Sequence, residues 1–453
     1  MLPTSEIQLP PTFANDTPEN YLNALISFFE SYRYLTDIHV VDFLTQNQWD
    51  LIDPTWQAAL LPETDTSEEW LDSLIQLAAE STIVVDAWPS TLKSFVQKAK
   101  DLPLPRNASA GNPCIINKRI LPGMTEKKIH EVELLSSVIQ DVASLQGISR
   151  AVDLGAGQGY LSRTLAFEHQ MNVLAVDASE IQTCGAKKFD EKATKALALV
   201  AELHHITETM TPENASSILS KWSNPEESWL VCGLHACGDL SSLMLRLFAE
   251  SKELKAVVNV GCCYHFLTEN SIHGFPMSQC LQNQKYRLGS TARMLACQAP
   301  SRWLDRKSES LKAFEHHFFR ALLQFIMVEK GLASATSAPI IGRLNKKTDF
   351  ISFPVYVQAA LKRMKLPQDA ISPEESEMYY DKYKGQGVDK RIAILWTVRA
   401  LLAPILESII LMDRWLYLKD VISESTSPAK GVWMWPLFDH IASPRNVVMV
   451  AIK

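Results

Sequence analysis

Cysteine is scarce in this chain: eight residues in 453, at positions 114, 184, 232, 237, 262, 263, 280 and 297. They are scattered and form no CxxC pair, which excludes a secreted disulfide framework and leaves no ready-made zinc knuckle. The opening MLPTSEIQLPPTFAND has neither a basic n-region nor an apolar h-region, so an intracellular placement, cytoplasmic or nuclear, is expected. No internal repeat is present. Long basic runs are missing too, and the pairs Lys127-Lys128, Lys187-Lys188 and Lys346-Lys347 read as solvated faces. The most apolar stretch, AILWTVRALLAPILESIILM at 393–412, is interrupted by Arg399, Pro404 and Glu407. It reads as a buried helix, and no membrane contact is expected.

What is present suffices for two or three packed domains, with 47% hydrophobic and 21% charged residues. The net charge of −7 hides an asymmetry, because residues 1–110 hold 5 Lys/Arg against 16 Asp/Glu while the remainder is mildly basic. An acidic N-terminal helical domain is expected over residues 1–112, ending in the linker LPLPRNASAGNP, with a basic protein as a partner its helices would suit. After it, a helix capped by Thr125 runs from Lys127 to Gln146 and leads into a strand at Arg150 to Leu154. Short apolar runs then alternate with helical patterns: Asn172 to Val176, Leu199 to His205, Trp229 to Leu234 and Ala256 to Val260. This is the pattern of a parallel sheet with crossover helices, an α/β core over residues 113–269. Residues 270–430 read as a helical insertion. Gly431 to Phe438 and Asn446 to Ile452 read as a hairpin, over 431–453, that returns to the sheet.

The most informative segment is Val152-Asp153-Leu154-Gly155-Ala156-Gly157-Gln158-Gly159-Tyr160. A strand ends in a carboxylate and passes through three alternating glycines into a helix, whose N-terminus offers unpaired N–H groups. The spacing is GxGxG rather than the GxGxxG of dinucleotide enzymes, and Asp153 would repel a pyrophosphate. About 20 residues on, Asp177 closes the second strand, where a carboxylate accepts hydrogen bonds from ribose hydroxyls. Together Asp153, Gly155, Gly157, Gly159, Tyr160 and Asp177 describe a pocket for S-adenosylmethionine.

VDLGAGQGYLSRTLAF, VLAVDAS, GLHACGDLS, VNVGCCYHFLTE and the terminal SPRN, with MTEKKIHEVE and LESIILMDRWLYL, resemble the methyltransferase-like protein 25 family along most of the chain. The likeness is strongest to its 25B branch, also called ribosomal RNA adenine dimethylase domain-containing protein. It implies a class I, Rossmann-like methyltransferase with a seven-stranded, mostly parallel sheet.

Enzymes that methylate an exocyclic adenine nitrogen carry an Asn/Asp-Pro-Pro-aromatic tetrapeptide after the fourth strand. Here the sequence reads Leu234-His235-Ala236-Cys237-Gly238-Asp239, which speaks against that acceptor. His235, Cys237 and Asp239, with Cys262, Cys263, Tyr264 and His265 after the fifth strand, are expected to converge beside the cofactor loop. Three chemistries compete: His235 or His265 as a general base, a cysteine as a nucleophile toward a pyrimidine, and a Cys/His set holding zinc. No metal is expected, because Cys262 and Cys263 would point to opposite faces of a continuing strand. A family of transfer-RNA ribose 2′-O-methyltransferases is similar in its His-x-Cys-Gly turn and Cys-Cys/His tract, which implies an RNA acceptor. The rivals are a protein acceptor and a non-catalytic scaffold. Glu407, Asp413 and Arg414 are expected to be ion-paired in the insertion.

Overall fold

Apolar runs that are buried on both faces form parallel strands, since helices must cover each side of such a sheet. Five strands run parallel, the four inner ones largely buried and the edge strand β3 only partly so: β1 (Arg150–Leu154), β2 (Asn172–Asp177), β3 (Leu203–Thr207), β4 (Trp229–Cys237) and β5 (Leu254–Cys262). Near the C-terminus β6 (Gly431–Pro436) and β7 (Val447–Ile452) pair with each other, and β7 joins β5 antiparallel. The single sheet has the order β3-β2-β1-β4-β5-β7-β6. The expected return of a C-terminal hairpin to the sheet is what is observed. This computed structural model describes residues 2–61, 67–80, 85–108, 111–194, 201–222, 227–422 and 430–453. Leu199, where the third strand was expected to begin, lies outside them.

The Glu126–Gln146 and Tyr160–Phe167 helices cover one face of the sheet, where Leu135, Ile139, Leu161 and Leu165 pack with Val258 and Val450. The first of these helices starts where expected: the Thr125 hydroxyl accepts from the Lys128 N–H, and Gly147 ends it in the left-handed conformation. The Asp239–Glu250 helix packs on β4 and β5, burying Leu243, Met244, Leu247 and Phe248.

The chain divides into two compact units, one of Met1–Ser27, Leu102–Cys297 and Ile405–Lys453, the other of Phe28–Asp101 and Gln298–Pro404. These boundaries correct the expected ones. Residues 1–112 are not one helical domain, because Ile7 forms a parallel bridge with Met434 and the Met434 N–H donates to the Glu6 carbonyl at 2.8 Å. Nor is 270–430 one insertion: Phe28, Tyr32, Trp56 and Phe95 stack in the second unit, where Lys307 pairs with Asp72 at 2.6 Å. Helices from the two sequence segments share one core there, which neither could bury alone.

The apolar stretch forms two helices, Val388–Ala400 and Ala403–Ile422, broken at Leu401-Leu402 with Pro404 in the first turn of the second. By length and composition Val388–Ile422 could cross a membrane, yet 89% of its most apolar window is buried in the protein. Within the second unit, Arg399 donates to the carbonyls of Leu35 and Ile38, both at 2.7 Å.

Candidate functional site

Asp153, the last but one residue of β1, is buried; its Oδ2 accepts from the Ser162 hydroxyl at 2.6 Å. Burial pushes its pKa up to about 6, against the opposing Ser162 hydrogen bond. The carboxylate thus ties the strand end to the first turn of the next helix. Gly155, Gly157 and Gly159 all have positive φ, at 76°, 56° and 69°, a conformation L side chains rarely adopt. They differ in what surrounds them. A Cβ on Gly155 would meet Leu240, and one on Gly159 would meet Ala186 and His205, whereas one on Gly157 would enter open space. Asp177, at the end of β2, accepts from the N–H of Gly157 through Oδ2 and of Ser179 through Oδ1, both at 2.8 Å. Each oxygen keeps a further lone pair. A left-handed glycine turn facing open space, with a half-buried carboxylate at its rim, fits the amino-acid and ribose parts of S-adenosylmethionine. Tyr160 stands elsewhere: its hydroxyl donates to the Gly123 carbonyl at 2.7 Å and its ring lies against Phe189.

At β4 the expected loop is strand. Pairing with β5 continues to Cys237↔Cys262, with a shift of register between Leu234 and Ala236. The shift is a bulge centred on His235, whose φ is 65°. The bulge aims His235 at a residue the sequence reading passed over. Its Nε2 lies 3.0 Å from Glu131 Oε2, on the helix before β1. Glu131 is fully buried, and it also accepts from the Ser443 hydroxyl at 2.6 Å and pairs with Lys128 at 3.0 Å and Lys127 at 3.5 Å. Burial alone would raise its pKa. The His235 hydrogen bond and charge, with Lys128 and Ser443, outweigh burial and hold the carboxyl well below the usual range.

Asp239 and Tyr264 are placed in structural contacts. Both oxygens of Asp239 are engaged by Thr268, from N–H and hydroxyl, each at 2.7 Å. Tyr264 is buried and donates to Glu407 Oε1 at 2.8 Å. Glu407 in turn pairs with Arg106 and Arg445, each at 2.6 Å, as expected of an ion-paired group. The other two expected ion pairs are corrected. Asp413 accepts the N–H groups of Met277 and Ser278 and the Ser278 hydroxyl, while Nη1 and Nη2 of Arg414 have no hydrogen-bond partner among the described residues.

The cysteines correct another expectation. β5 ends at Cys262, and Cys263 turns into the left-handed region with φ 51° and ψ 49°, so the two side chains do not alternate across a strand. The Sγ of Cys262 lies 3.3 Å from that of Cys237 and 3.5 Å from that of Cys263. The Cys262 hydrogen bond, above all, holds the Cys237 pKa down at about 6, against the cost of burial, with Cys263, His235 and His265 assisting. Correspondingly the Cys262 thiol is pushed up by that same bond and by burial, and burial raises Cys263 to about 11. His265 is exposed, with Nδ1 3.4 Å from Cys297 Sγ. Neither Glu131 nor Cys297 announced itself in the sequence, since each meets the strand ends only through the fold.

Residues 127–270 match a methyltransferase domain family. Over its length the chain is similar to the protein named probable methyltransferase-like protein 25 of Mus musculus, 24% identical over 98% of each chain. The Homo sapiens protein of the same name is also 24% identical, over 95% of this chain and 96% of that one. Among solved structures, a magnesium protoporphyrin IX methyltransferase from Synechocystis PCC 6803 with bound SAH is 16% identical. That match covers 31% of this chain and 63% of the other, with a TM-score of 0.22. Coclaurine N-methyltransferase is 13% identical over 95% and 100%, with a TM-score of 0.24.

Proposed function

Given a chain that is a full-length relative of methyltransferase-like protein 25 and an S-adenosylmethionine-dependent methyltransferase, we propose that its acceptor is a hydroxyl of RNA. Bound S-adenosylmethionine supplies an electrophilic methyl on a sulfonium. In this reading the Gly155 to Gly159 turn and Asp177 hold that cofactor, and Asp153 keeps the turn in shape from beneath. The supporting observation is the Glu131–His235 pair on the β4 bulge. With Nε2 donating to the carboxylate, Nδ1 keeps the lone pair that takes the proton an acceptor hydroxyl releases, and Glu131 stabilises the imidazolium that results. Lys127 and Lys128, held beside the same carboxylate and partly exposed, add positive charge suited to a phosphate backbone. The absence of the Pro-Pro-aromatic turn favours a hydroxyl over an adenine amino group.

The test is tritiated methyl transfer into RNA and protein fractions from cells lacking the gene, followed by alkaline hydrolysis of the labelled RNA. Label in alkali-resistant dinucleotides is expected, and His235→Ala should lower it by roughly a hundredfold or more while leaving S-adenosylhomocysteine affinity nearly unchanged. Label confined to protein overturns the RNA reading. Undiminished transfer by His235→Ala removes the base.

A further inference from the structure

We propose that Cys237, Cys262 and Cys263 hold a zinc ion, with the neighbouring Cys297–His265 pair closing its fourth position. The three Sγ atoms all lie within 4.8 Å of one another. Thiolates bound tetrahedrally at about 2.3 Å from zinc stand roughly 3.8 Å apart, so the set closes on an ion with shifts of about an ångström or less. Separate backbone devices bring the sulfurs together. The β4 bulge delivers Cys237 opposite Cys262 in register. The left-handed turn at Cys263 makes its thiol a neighbour of Cys262 instead of its opposite. Cys297 is brought in from beyond the Ser290–Leu295 helix, where Arg445 fixes the Ala296 and Cys297 carbonyls at 3.0 and 3.1 Å.

A second observation is independent of the sulfurs. Arg414 is 2% exposed, and its Nη1 occupies the space that a Cβ on Gly261, the residue before Cys262, would take. Both terminal nitrogens lack a hydrogen-bond partner among the described residues. The nearby carboxylates of Asp413 and Asp239 are already engaged, by Met277 and Ser278 and by Thr268. With three neutral thiols, the charge of this buried guanidinium is answered only at a distance, by Asp413 and Asp239, whose hydrogen bonds go elsewhere, and by the Tyr264 ring 5.7 Å away. Three or four thiolates around a divalent ion carry net negative charge and answer it. The donor set is sulfur, with at most one imidazole and no oxygen, which disfavours magnesium and calcium and suits zinc. Such an ion would staple the ends of β4 and β5 to the segment at Cys297, whatever the acceptor of the methyl group.

Elemental analysis of the full chain, purified under reducing conditions from zinc-supplemented cells, should find about one zinc per molecule. Cys237→Ser and Cys262→Ser should lose it, and Cys184→Ser, an exposed cysteine on the Glu180–Thr194 helix, should keep it. Of Cys297→Ser and His265→Ala, the variant that lowers the zinc content identifies the fourth ligand. Should a cysteine variant fail to fold, cobalt(II) added to chelator-treated wild-type protein gives a readout without mutation: thiolate-to-cobalt charge-transfer bands with tetrahedral d–d bands are expected. Metal-free protein that takes up neither zinc nor cobalt, a Cys237–Cys262 disulfide in the freshly purified chain, or copper in place of zinc overturns the assignment.

Discussion

The two halves of the sheet's carboxyl edge are built differently. At β1 and β2 the polar groups find partners nearby in the sequence: Asp153 with Ser162, nine residues on, Asp177 with Gly157, 20 residues back, and with Ser179 two residues on. Beyond β4 and β5 the buried charged groups reach far along the chain, with His235 and Glu131 separated by 104 residues, Tyr264 and Glu407 by 143, and Met277 and Asp413 by 136. The first half is a local motif that a short stretch of chain can shape. The second is a tertiary network that exists only once the chain has folded, and its chemistry depends on buried charges finding each other.

If that contrast holds, the remote half should be the more fragile. Glu407→Gln leaves Arg106 and Arg445 facing a neutral group in a buried site, and should cost about 3 to 5 kcal/mol in chemical denaturation. A cost under about 1 kcal/mol would mean that the arginines find other partners and that the far half is not held by its ion pairs.

The local half should respond in binding more than in folding. Asp177→Ala should weaken S-adenosylhomocysteine binding by about 1 to 3 kcal/mol in calorimetry. Gly157→Val, whose side chain would enter the open space described above, should abolish binding while altering stability little beyond the roughly 1 to 2 kcal/mol of left-handed strain. Unchanged affinity in both variants would separate the glycine turn from the cofactor.

Acid should distinguish the halves more gently. Glu131 has a folded-state pKa depressed below its ordinary 4.5, so the unfolded chain binds the proton more readily. Its contribution to stability is full above that ordinary value and is lost as the pH falls toward the folded pKa. Glu131→Gln should therefore flatten the acid limb of stability against pH. Lys127→Ala, which removes a partly exposed partner at 3.5 Å, should change stability by only a few tenths of a kcal/mol. An acid limb identical in wild type and Glu131→Gln would show that the carboxylate is not held in its ionised form.

What the sequence disclosed follows the same division. Strand periodicity, the GxGxG spacing and the carboxylates at 153 and 177 lie within a window where pattern implies structure, and the closing hairpin announced itself by β-rich runs around Ser443-Pro444. His235, Cys237 and the Cys262-Cys263 tract were recognised as convergent because parallel strand ends meet at one edge. Their exact contacts were illegible, since a bulge at His235 and a left-handed Cys263 are single-residue departures from a strand that no periodicity reveals. Asp239 and Tyr264 carry reactive groups at the expected places, yet Thr268 and Glu407 claim them. The unit boundaries escaped for another reason: amphipathic helices at 28–101 and 298–404 each show an apolar face, and nothing in either face names the other as its cover.

The antiparallel pairing of β7 with β5 also has a consequence in time. Ala256 aligns with Ile452, so during synthesis one edge of β5 waits while the whole helical stretch between them is made. Until the final strand emerges, a largely apolar strand edge is open to pairing with other chains. Such long-range closure makes for slow folding, and the nascent protein is expected to depend on chaperones over that interval, however stable the finished sheet.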